Sequence, residues 1–215
     1  GVGAPCREAQ CGFLLDDGSL DIQFGRNKAD GCLAGKFSLD ELAQLRQWGS
    51  ATTGHPEYEV ARGIENTSGP LGQGHAYAVG AAIAAKFLAE HTGNPTFAKE
   101  TIYAYISDGG VQEEISQGAA RIAGNLGLDN LIMFYDCNDI QLSTETKEVM
   151  NVDTAAKYRA QNWEVIEING NDAAQIRAAI EKAQAVKGKP TLIIGKCIMG
   201  KGALKADGTS YEANC

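Results

Sequence analysis

From residue 38 onward, apolar runs alternate with helical stretches, and this order predicts a repeated strand–helix arrangement. Apolar, β-rich runs typical of buried strands lie at 101–107, 131–135, 164–168 and 191–194. Helical sequence lies at 38–49, 75–90, 112–128 and 172–186. Strands that alternate with helices form parallel sheets through right-handed crossovers. The pattern therefore predicts an α/β fold, with a doubly wound, mostly parallel sheet that carries helices on both faces.

The first predicted helix has a clear start. Ser38 followed by Glu41 forms a capping box, and Leu39, Leu42 and Leu45 then fall on one helical face. We expect a short amphipathic helix that ends near residue 49.

The next two helices differ in composition. Residues 75–90 are rich in alanine, which favours a buried helix that packs closely on its neighbours. His75 within it is interpreted as structural. The helix over 112–128 is indicated by helical spacing at Ile115, Ala119, Ile122 and Leu126.

The beginning of the chain has a different character from the rest. Residues 1–32 are crowded with polar turn signals and show little periodicity. We expect an irregular segment over 1–32, followed by one domain over 33–215.

Composition and charge exclude several classes of protein. Hydrophobic residues make up 44% and charged residues 21% of the 215 residues, which argues against a disordered chain or a fibrous repeat. The net charge of −8 disfavours nucleic acid and anionic membranes as partners. No run approaches the ~20 apolar residues that cross a bilayer, and no secretory leader is recognisable. The sequence thus predicts a soluble, cytoplasmic protein.

Two residue types carry further information. Glycine is abundant, with 26 residues clustered in short loops, which suggests places where backbone approaches a ligand closely. The six cysteines are scattered, without a CxxC pair. In a chain of this size they favour reduced, structural thiols over disulfides or a zinc site.

The ends of two predicted strands carry the candidate chemistry. Asp108-Gly109-Gly110 follows the first strand and Asn138 follows the second. In parallel sheets, ligands bind at the carboxyl ends of the strands. A carboxylate, an amide oxygen and a nearby backbone carbonyl suit Mg²⁺ or Ca²⁺, and glycine N–H groups at a helix start suit a diphosphate. The spacing therefore favours a metal-bridged diphosphate, although many turns use Asp and Gly only as turn and capping residues.

Three segments together resemble the transketolase family. Ser107-Asp108-Gly109 followed by Asn138 resembles the GDG…N motif of thiamine diphosphate enzymes. Residues 53–57, TGHPE, and 67–74, TSGPLGQG, resemble that family's TPGHPE and TTGPLGQG loops. The second loop also contains glycines of the kind found in dinucleotide loops, but no strand precedes it as that fingerprint requires. The resemblance runs from about residue 33 to the end and covers only the family's amino-terminal, diphosphate-binding section.

The resemblance implies a metal and cofactor site. Asp108 and the Asn138 side chain would bind Mg²⁺ or Ca²⁺ together with the Ile140 carbonyl. Gly109 would donate its N–H to the diphosphate of thiamine diphosphate.

Further roles follow from the same resemblance. Gly69 and Leu71 would lie against the cofactor rings, and Met199 would form part of an apolar wall on the pyrimidine side. His55 would contact the donor sugar, although a polar loop residue satisfied by backbone is the alternative. Glu113 would belong to a chain of carboxylates that links two cofactors across a subunit interface.

The chain also departs from the family pattern. Gly118 stands where the next carboxylate of that chain is expected, and two family histidine motifs have no clean counterpart in residues 1–32. The pyrimidine-binding domain, with its essential glutamate, is absent from this sequence. The lone chain is therefore expected to need a carboxyl-terminal transketolase section or subunit, in a homo- or hetero-oligomer, before it can act.

The activity implied is that of a transferase of the pentose phosphate pathway. It would move a two-carbon ketol unit from a ketose phosphate to an aldose phosphate with thiamine diphosphate and Mg²⁺. Two alternatives stay open on the residues alone. One is a subunit of another thiamine diphosphate-dependent carboligase or decarboxylase, and the other is a non-catalytic cofactor-binding or interaction protein.

Overall fold

The computed structural model describes residues 36–53, 57–62, 64, 67, 69–141, 144–199, 201–202, 204 and 207–209. The helices in these ranges are α1 Leu39–Ala43, α2 Gln73–Thr92, α3 Pro95–Ala98, α4 Asp108–Gln112, α5 Glu114–Leu126, α6 Thr154–Ala160 and α7 Ala173–Ala185. The strands are β1 Ile102–Ser107, β2 Leu131–Cys137, β3 Ile140–Gln141, β4 Thr144–Glu145, β5 Glu164–Asn169 and β6 Thr191–Lys196. Short 3-10 turns cover Val60–Arg62 and Thr146–Glu148. None of the helices in the described part of the chain is long and apolar enough to span a membrane.

A four-stranded parallel sheet in the order β1-β2-β6-β5 forms the centre of the domain. Ser107 pairs with Asp136, and Cys137 pairs with Lys196. All three pairings are parallel, so each strand ends at the same edge of the sheet. A small antiparallel hairpin of β3 and β4 lies just beyond the end of β2. The predicted α/β fold is confirmed.

One face of the sheet is covered by α2, α5 and α6. Leu131 and Met133 of β2 and Leu192 of β6 are fully buried there. The helices meet this face through small side chains, including Ala82 and Ala120. Burying a leucine or methionine side chain contributes about 1.5–3 kcal/mol, so this layer is a major source of stability.

The opposite face is covered by α7. Ile132, Phe134 and Ile193 project to this side, and Ala179 and Ala183 of the helix pack on them. Side chains of successive strand residues point to opposite faces. The continuous apolar runs in β2 and β6 are therefore buried on both sides, as expected for a parallel sheet between two helical layers.

The first helix is shorter than predicted. The capping box is present, because Ser38 N donates to Glu41 Oε2 at 2.8 Å and Glu41 N donates to Ser38 Oγ at 3.1 Å. The helix nevertheless ends at Ala43, and Arg46 adopts a positive φ of 65°. Arg46 N donates to Thr52 O, so the chain reverses where the helix was expected to continue. Leu39 is exposed, and the predicted apolar face is not buried there.

The buried faces of α2 and α5 also differ from prediction. Helix α2 buries three of its alanines, Ala78, Ala82 and Ala85, but it exposes Tyr77 and Phe87, so it is buried on one side only. In α5 the helical spacing predicted the helix correctly. Three of the four residues that show this spacing, Ile115, Ile122 and Leu126, are nevertheless about half exposed.

The side of α5 that faces the core consists of small or polar residues for a steric reason. A Cβ on Gly124 would lie 1.7 Å from Gln161 O, and Ala120 and Ala123 are fully buried beside it. The helix therefore packs too closely on α6 and the sheet to accommodate large apolar side chains.

The other predicted elements agree with the structure to within a few residues at each end. Asp172 caps α7 by accepting from Ala174 N and Gln175 N. The sequence did not predict α3, α6 or the β3–β4 hairpin. The expected irregular segment over 1–32 lies outside the described residues. Cys137 and Cys197 are reduced and half-buried, as predicted, and the other four cysteines lie outside the described residues.

Candidate metal and diphosphate site

The carboxyl edge of the sheet brings the two predicted ligand residues together. Strands β1 and β2 are neighbours with Ser107 paired to Asp136. Asp108 therefore follows β1 directly beside the point where Asn138 follows β2. The expected meeting of two residues thirty positions apart is confirmed by a hydrogen bond, in which Asn138 N donates to Asp108 Oδ2 at 3.0 Å.

Asp108 is a buried carboxylate held by three donors. It is 1% exposed and begins helix α4 without an intervening loop. Tyr135 Oη donates to its Oδ1 at 2.7 Å, and Asp139 N joins Asn138 N in donating to Oδ2, at 3.2 Å. Hydrogen bonds to a charged acceptor are stronger than those between neutral groups, so the orientation of the carboxylate is fixed by both neighbouring segments.

The Asp108 carboxylate has no cationic partner among the described residues. Burial raises the pKa of the Asp108 carboxyl, and this outweighs the opposing hydrogen bonds from Tyr135 and Asn138. Burial, together with the nearby Asp108 charge, raises the pKa of Tyr135 well above its usual range. None of the described lysine and arginine side chains forms an ion pair with Asp108. A buried carboxylate of this kind is chemically suited to a bound cation.

Asn138 and Ile140 shape the loop that follows β2. The Asn138 side-chain oxygen accepts from Ile140 N at 3.1 Å. An amide oxygen has two lone pairs, so a second interaction remains available to it. The Gln112 side chain donates to the Gln141 side chain, which ties α4 to the start of the hairpin. The three predicted metal-binding residues therefore lie within one hydrogen-bonded loop assembly.

The glycine loops lie against the same edge. A Cβ on Gly109 would come within 3.1 Å of Leu71 Cδ1, so the two predicted cofactor residues are in contact range. Gly72 has a φ of 83°, and a Cβ there would meet Ile115 and Ser116 at 2.8 Å. The positive φ and the close approaches favour glycine at position 72, and they place Leu71 beside α4 and Gly72 beside the start of α5. Gly69 itself is half-buried.

The turn after β6 completes the edge of the sheet. Cys197 N donates to Cys137 O at 3.0 Å, and Ile198 N donates to Asn171 Oδ1 at 2.8 Å. Met199 follows in this turn and is half-buried. It therefore lies beyond the same edge of the sheet as Asp108 and Asn138.

The two predicted catalytic residues are not tested by this geometry. His55 lies outside the described residues. Glu113 is exposed at the junction of α4 and α5, where its ψ of 134° interrupts the helix. A Cβ on Gly118 would meet no atom within 4 Å, so this position is open space on the outer side of α5. The roles of His55 and Glu113 stay predictions.

Sequence reasoning missed two members of the site. Tyr135 was placed in a buried strand, but its hydroxyl orients Asp108. Lys196 was not considered, yet its ammonium contacts Asp139 Oδ1 at 2.6 Å. The signal for both is strand register, because Tyr135 lies two residues before the end of β2 and Lys196 ends the adjacent strand β6. The order of strands in the sheet could not be assigned from sequence.

Comparison with known proteins gives a consistent result. The family model described as "Transketolase, thiamine diphosphate binding domain" matches residues 31–213. The chain is 43% identical over 177 residues to transketolase from Bacillus subtilis, covering 81% of this chain and 26% of that protein. It is also 43% identical over 174 residues to transketolase 1 of Escherichia coli, covering 80% of this chain and 26% of that protein.

Solved structures extend the comparison to the fold. Transketolase from Leishmania mexicana matches with a TM-score of 0.71 and 39% identity over 78% of this chain and 26% of that chain. Transketolase from Campylobacter jejuni matches with a TM-score of 0.69 and 38% identity over 81% of this chain and 26% of that chain. The chain thus spans about a quarter of the length of the relatives that it matches. On these grounds, this chain belongs to the transketolase family, as its thiamine diphosphate-binding domain.

Proposed function

We propose that this chain is the metal- and diphosphate-binding section of a transketolase, acting with Mg²⁺ or Ca²⁺ and thiamine diphosphate. The observation that carries the proposal is the buried Asp108 carboxylate, which has no cationic partner among the described residues and lies beside Asn138 and Ile140. These oxygens are the donor types that Mg²⁺ and Ca²⁺ prefer. The contact between Leu71 and Gly109 supports a cofactor position at the same edge.

Each residue has a defined task in this proposal. Asp108, the Asn138 side chain and the Ile140 carbonyl hold the cation. Tyr135 keeps the Asp108 carboxylate in position through its hydroxyl. Gly109, in the first turn of α4, offers its N–H where the helix dipole favours negative charge.

The apolar residues around the edge would exclude water from the cofactor. Leu71 and Gly69 lie on one side, and Met199 lies in the turn after β6. When bound, thiamine diphosphate supplies the carbanion chemistry for transfer of a two-carbon unit between sugar phosphates. His55 would orient the donor sugar, and Glu113 would act near the contact with a second subunit.

A partner section is part of the proposal. The chain spans about a quarter of its relatives, and three apolar side chains of α5, Ile115, Ile122 and Leu126, are 50%, 47% and 52% exposed. Contiguous exposed apolar surface favours a protein contact. We therefore expect the pyrimidine-binding section of a transketolase, in the same or another chain, to complete the active site in an oligomer. A cytoplasmic place in the pentose phosphate pathway follows from the resemblance and remains part of this proposal.

Calorimetry tests the cofactor assignment. Thiamine diphosphate should bind the chain only when Mg²⁺ or Ca²⁺ is present, and Asp108→Ala should abolish this binding. Asp129→Asn is the matched control, because Asp129 is a carboxylate before β2, at the opposite edge of the sheet, and pairs with Lys86. Absence of metal-dependent binding by the parent chain would contradict the proposal.

Mixing experiments test the partner assignment. The chain alone should show no ketol transfer, and addition of a carboxyl-terminal transketolase section should produce it. Activity of the lone chain would overturn the claim that it holds only part of the active site.

A further inference from the structure

A thiol and a second carboxylate lie next to Asp108, outside the predicted metal-binding set. One carboxylate oxygen each from Asp108 and Asp139 and the Sγ of Cys137 all lie within 4.8 Å of one another. We call these three residues the Cys137 cluster. Lys196 borders it, with its Nζ 2.6 Å from Asp139 Oδ1 and 3.5 Å from Cys137 Sγ.

The fold holds each member of the Cys137 cluster from a different position. Asp108 begins α4 and is fixed by its three donors. Cys137 is the last residue of β2 and is half-buried. Asp139 has a φ of 64°, in the left-handed region that aspartate tolerates better than most residues. All three residues therefore lie at the carboxyl edge of the sheet, where the backbone positions them.

The donor types differ from those of a magnesium site. Mg²⁺ takes oxygen ligands almost exclusively, whereas a cysteine thiolate favours softer cations such as Zn²⁺ and Co²⁺. Zinc binds sulfur at about 2.3 Å and carboxylate oxygen at about 2.0–2.2 Å, so its ligand atoms lie about 3.5 Å apart. The atoms of the Cys137 cluster lie within 4.8 Å of one another, so they would move closer together on binding a cation.

We propose that Cys137 and Asp139 join Asp108 in binding the divalent cation, so that this chain binds Zn²⁺ and Co²⁺ more tightly than Mg²⁺. The inference rests on the proposed function in one respect, because Asp108 is shared with the proposed cofactor site. On binding, the Cys137 thiol releases its proton to solvent and its sulfur coordinates the cation. Lys196 leaves Asp139, since its ammonium and the cation compete for the same carboxylate.

The test uses the purified whole chain and Co²⁺ as a spectroscopic probe. Titration with Co²⁺ should produce a near-ultraviolet thiolate-to-cobalt charge-transfer band, and Zn²⁺ should remove it at lower concentrations than Mg²⁺. Cys137→Ser should abolish the band attributable to this site and weaken Co²⁺ binding about a hundredfold. Cys197→Ser is the matched control, since Cys197 is a half-buried thiol at the end of the adjacent strand, and it should keep the band.

A second variant tests the competition with Lys196. Lys196→Met removes the ammonium and retains the aliphatic stem, so Co²⁺ should bind about tenfold more tightly. Weaker or unchanged binding would overturn the inference, as would a band that survives Cys137→Ser or is lost in Cys197→Ser.

The outcome separates this inference from the proposed function. Cys137→Ser replaces the sulfur with an oxygen donor of the type that Mg²⁺ takes, so it should weaken Mg²⁺-dependent binding of thiamine diphosphate far less than it weakens Co²⁺ binding, while Asp108→Ala should lose both this binding and the cobalt band. A parent chain that binds thiamine diphosphate with Mg²⁺ but gives no cobalt band contradicts only the cation preference. A cobalt band without cofactor binding contradicts only the proposed function.

Discussion

Two buried polar regions of this domain differ in how fully their polar atoms are paired. At the sheet edge, Asp108 receives hydrogen bonds from Tyr135 and from two backbone N–H groups. Between α2, α5 and α6, the His75 ring lies stacked 6.4 Å from the Tyr158 ring. In the described part of the chain, neither ring nitrogen of His75 nor Ser116 Oγ has a hydrogen-bond partner, and the Tyr158 hydroxyl lies beside the neutral side chain of Gln117.

The two regions differ in the free-energy cost of their buried polar groups. Burying a polar group without a partner costs about 1–3 kcal/mol in proteins. The three donors bonded to Asp108 avoid this cost, and the buried carboxylate has no cationic partner among the described residues. The His75 region bears the cost without an identified chemical use. We therefore expect polar deletions to be harmful in the first region and less harmful, or stabilising, in the second.

The largest effect is expected from Asp108→Ala. It leaves the Tyr135 hydroxyl and two backbone N–H groups without their acceptor, so the free energy of unfolding should fall by about 3 kcal/mol. Urea unfolding without added metal measures this. Asp129→Asn provides the control, and a loss below about 1 kcal/mol for Asp108→Ala would mean that the site is not rigidly organised before ligand binding.

Acid conditions should reveal the cost in the His75 region. Burial lowers the pKa of His75 from 6.5 to about 4. Protonation therefore favours the unfolded state, so the stabilising contribution is complete above pH 6.5 and is lost as the pH falls from 6.5 towards 4. This shift corresponds to about 3 kcal/mol.

Replacement of the histidine should remove that dependence. In urea unfolding at pH 7 and pH 4, His75→Leu should show a smaller loss of stability than the parent chain, whereas His91→Ala, at an exposed position, should not differ from it. Equal pH dependence of His75→Leu and the parent chain would contradict burial of an uncharged His75.

Two tyrosine substitutions compare the regions directly. Tyr135→Phe removes a donor to a carboxylate and should cost about 1.5–3 kcal/mol. Tyr158→Phe removes a hydroxyl whose neighbour is the neutral Gln117 side chain, so it should cost less, below about 1 kcal/mol. Thermal unfolding of both variants measures the two losses of stability. A larger loss for Tyr158→Phe than for Tyr135→Phe would contradict the prediction.

The smallest effect is expected from Ser116→Ala. Ser116 is fully buried, and its hydroxyl has no partner in the described part of the chain. Alanine also has the higher helix propensity. The free energy of unfolding in urea should therefore stay equal or rise by about 0.5 kcal/mol, and a loss above 1 kcal/mol would point to an interaction of this hydroxyl in solution.

Local patterns predicted most of the fold and part of the site. The four parallel strands and α7 lie within a few residues of their predicted bounds, since strand runs and caps are local signals. Asp108 and Asn138 could be placed together because parallel strands end at one edge. The face of α5 was predicted wrongly, because the approach of Gly124 to Gln161 O is a tertiary contact that periodicity does not report.

The sequence by itself determined the alternation of elements, the family and the positions of Asp108 and Asn138 at the strand ends. These follow from side-chain period, capping chemistry and motif order, all of which are local in the chain. Tertiary structure alone decided that β6 lies between β2 and β5. This order brings Lys196 and Cys137 side by side and so surrounds Asp108 with a thiol, a second carboxylate and a competing cation. Strand order depends on packing among distant residues, so no single segment of the chain encodes it.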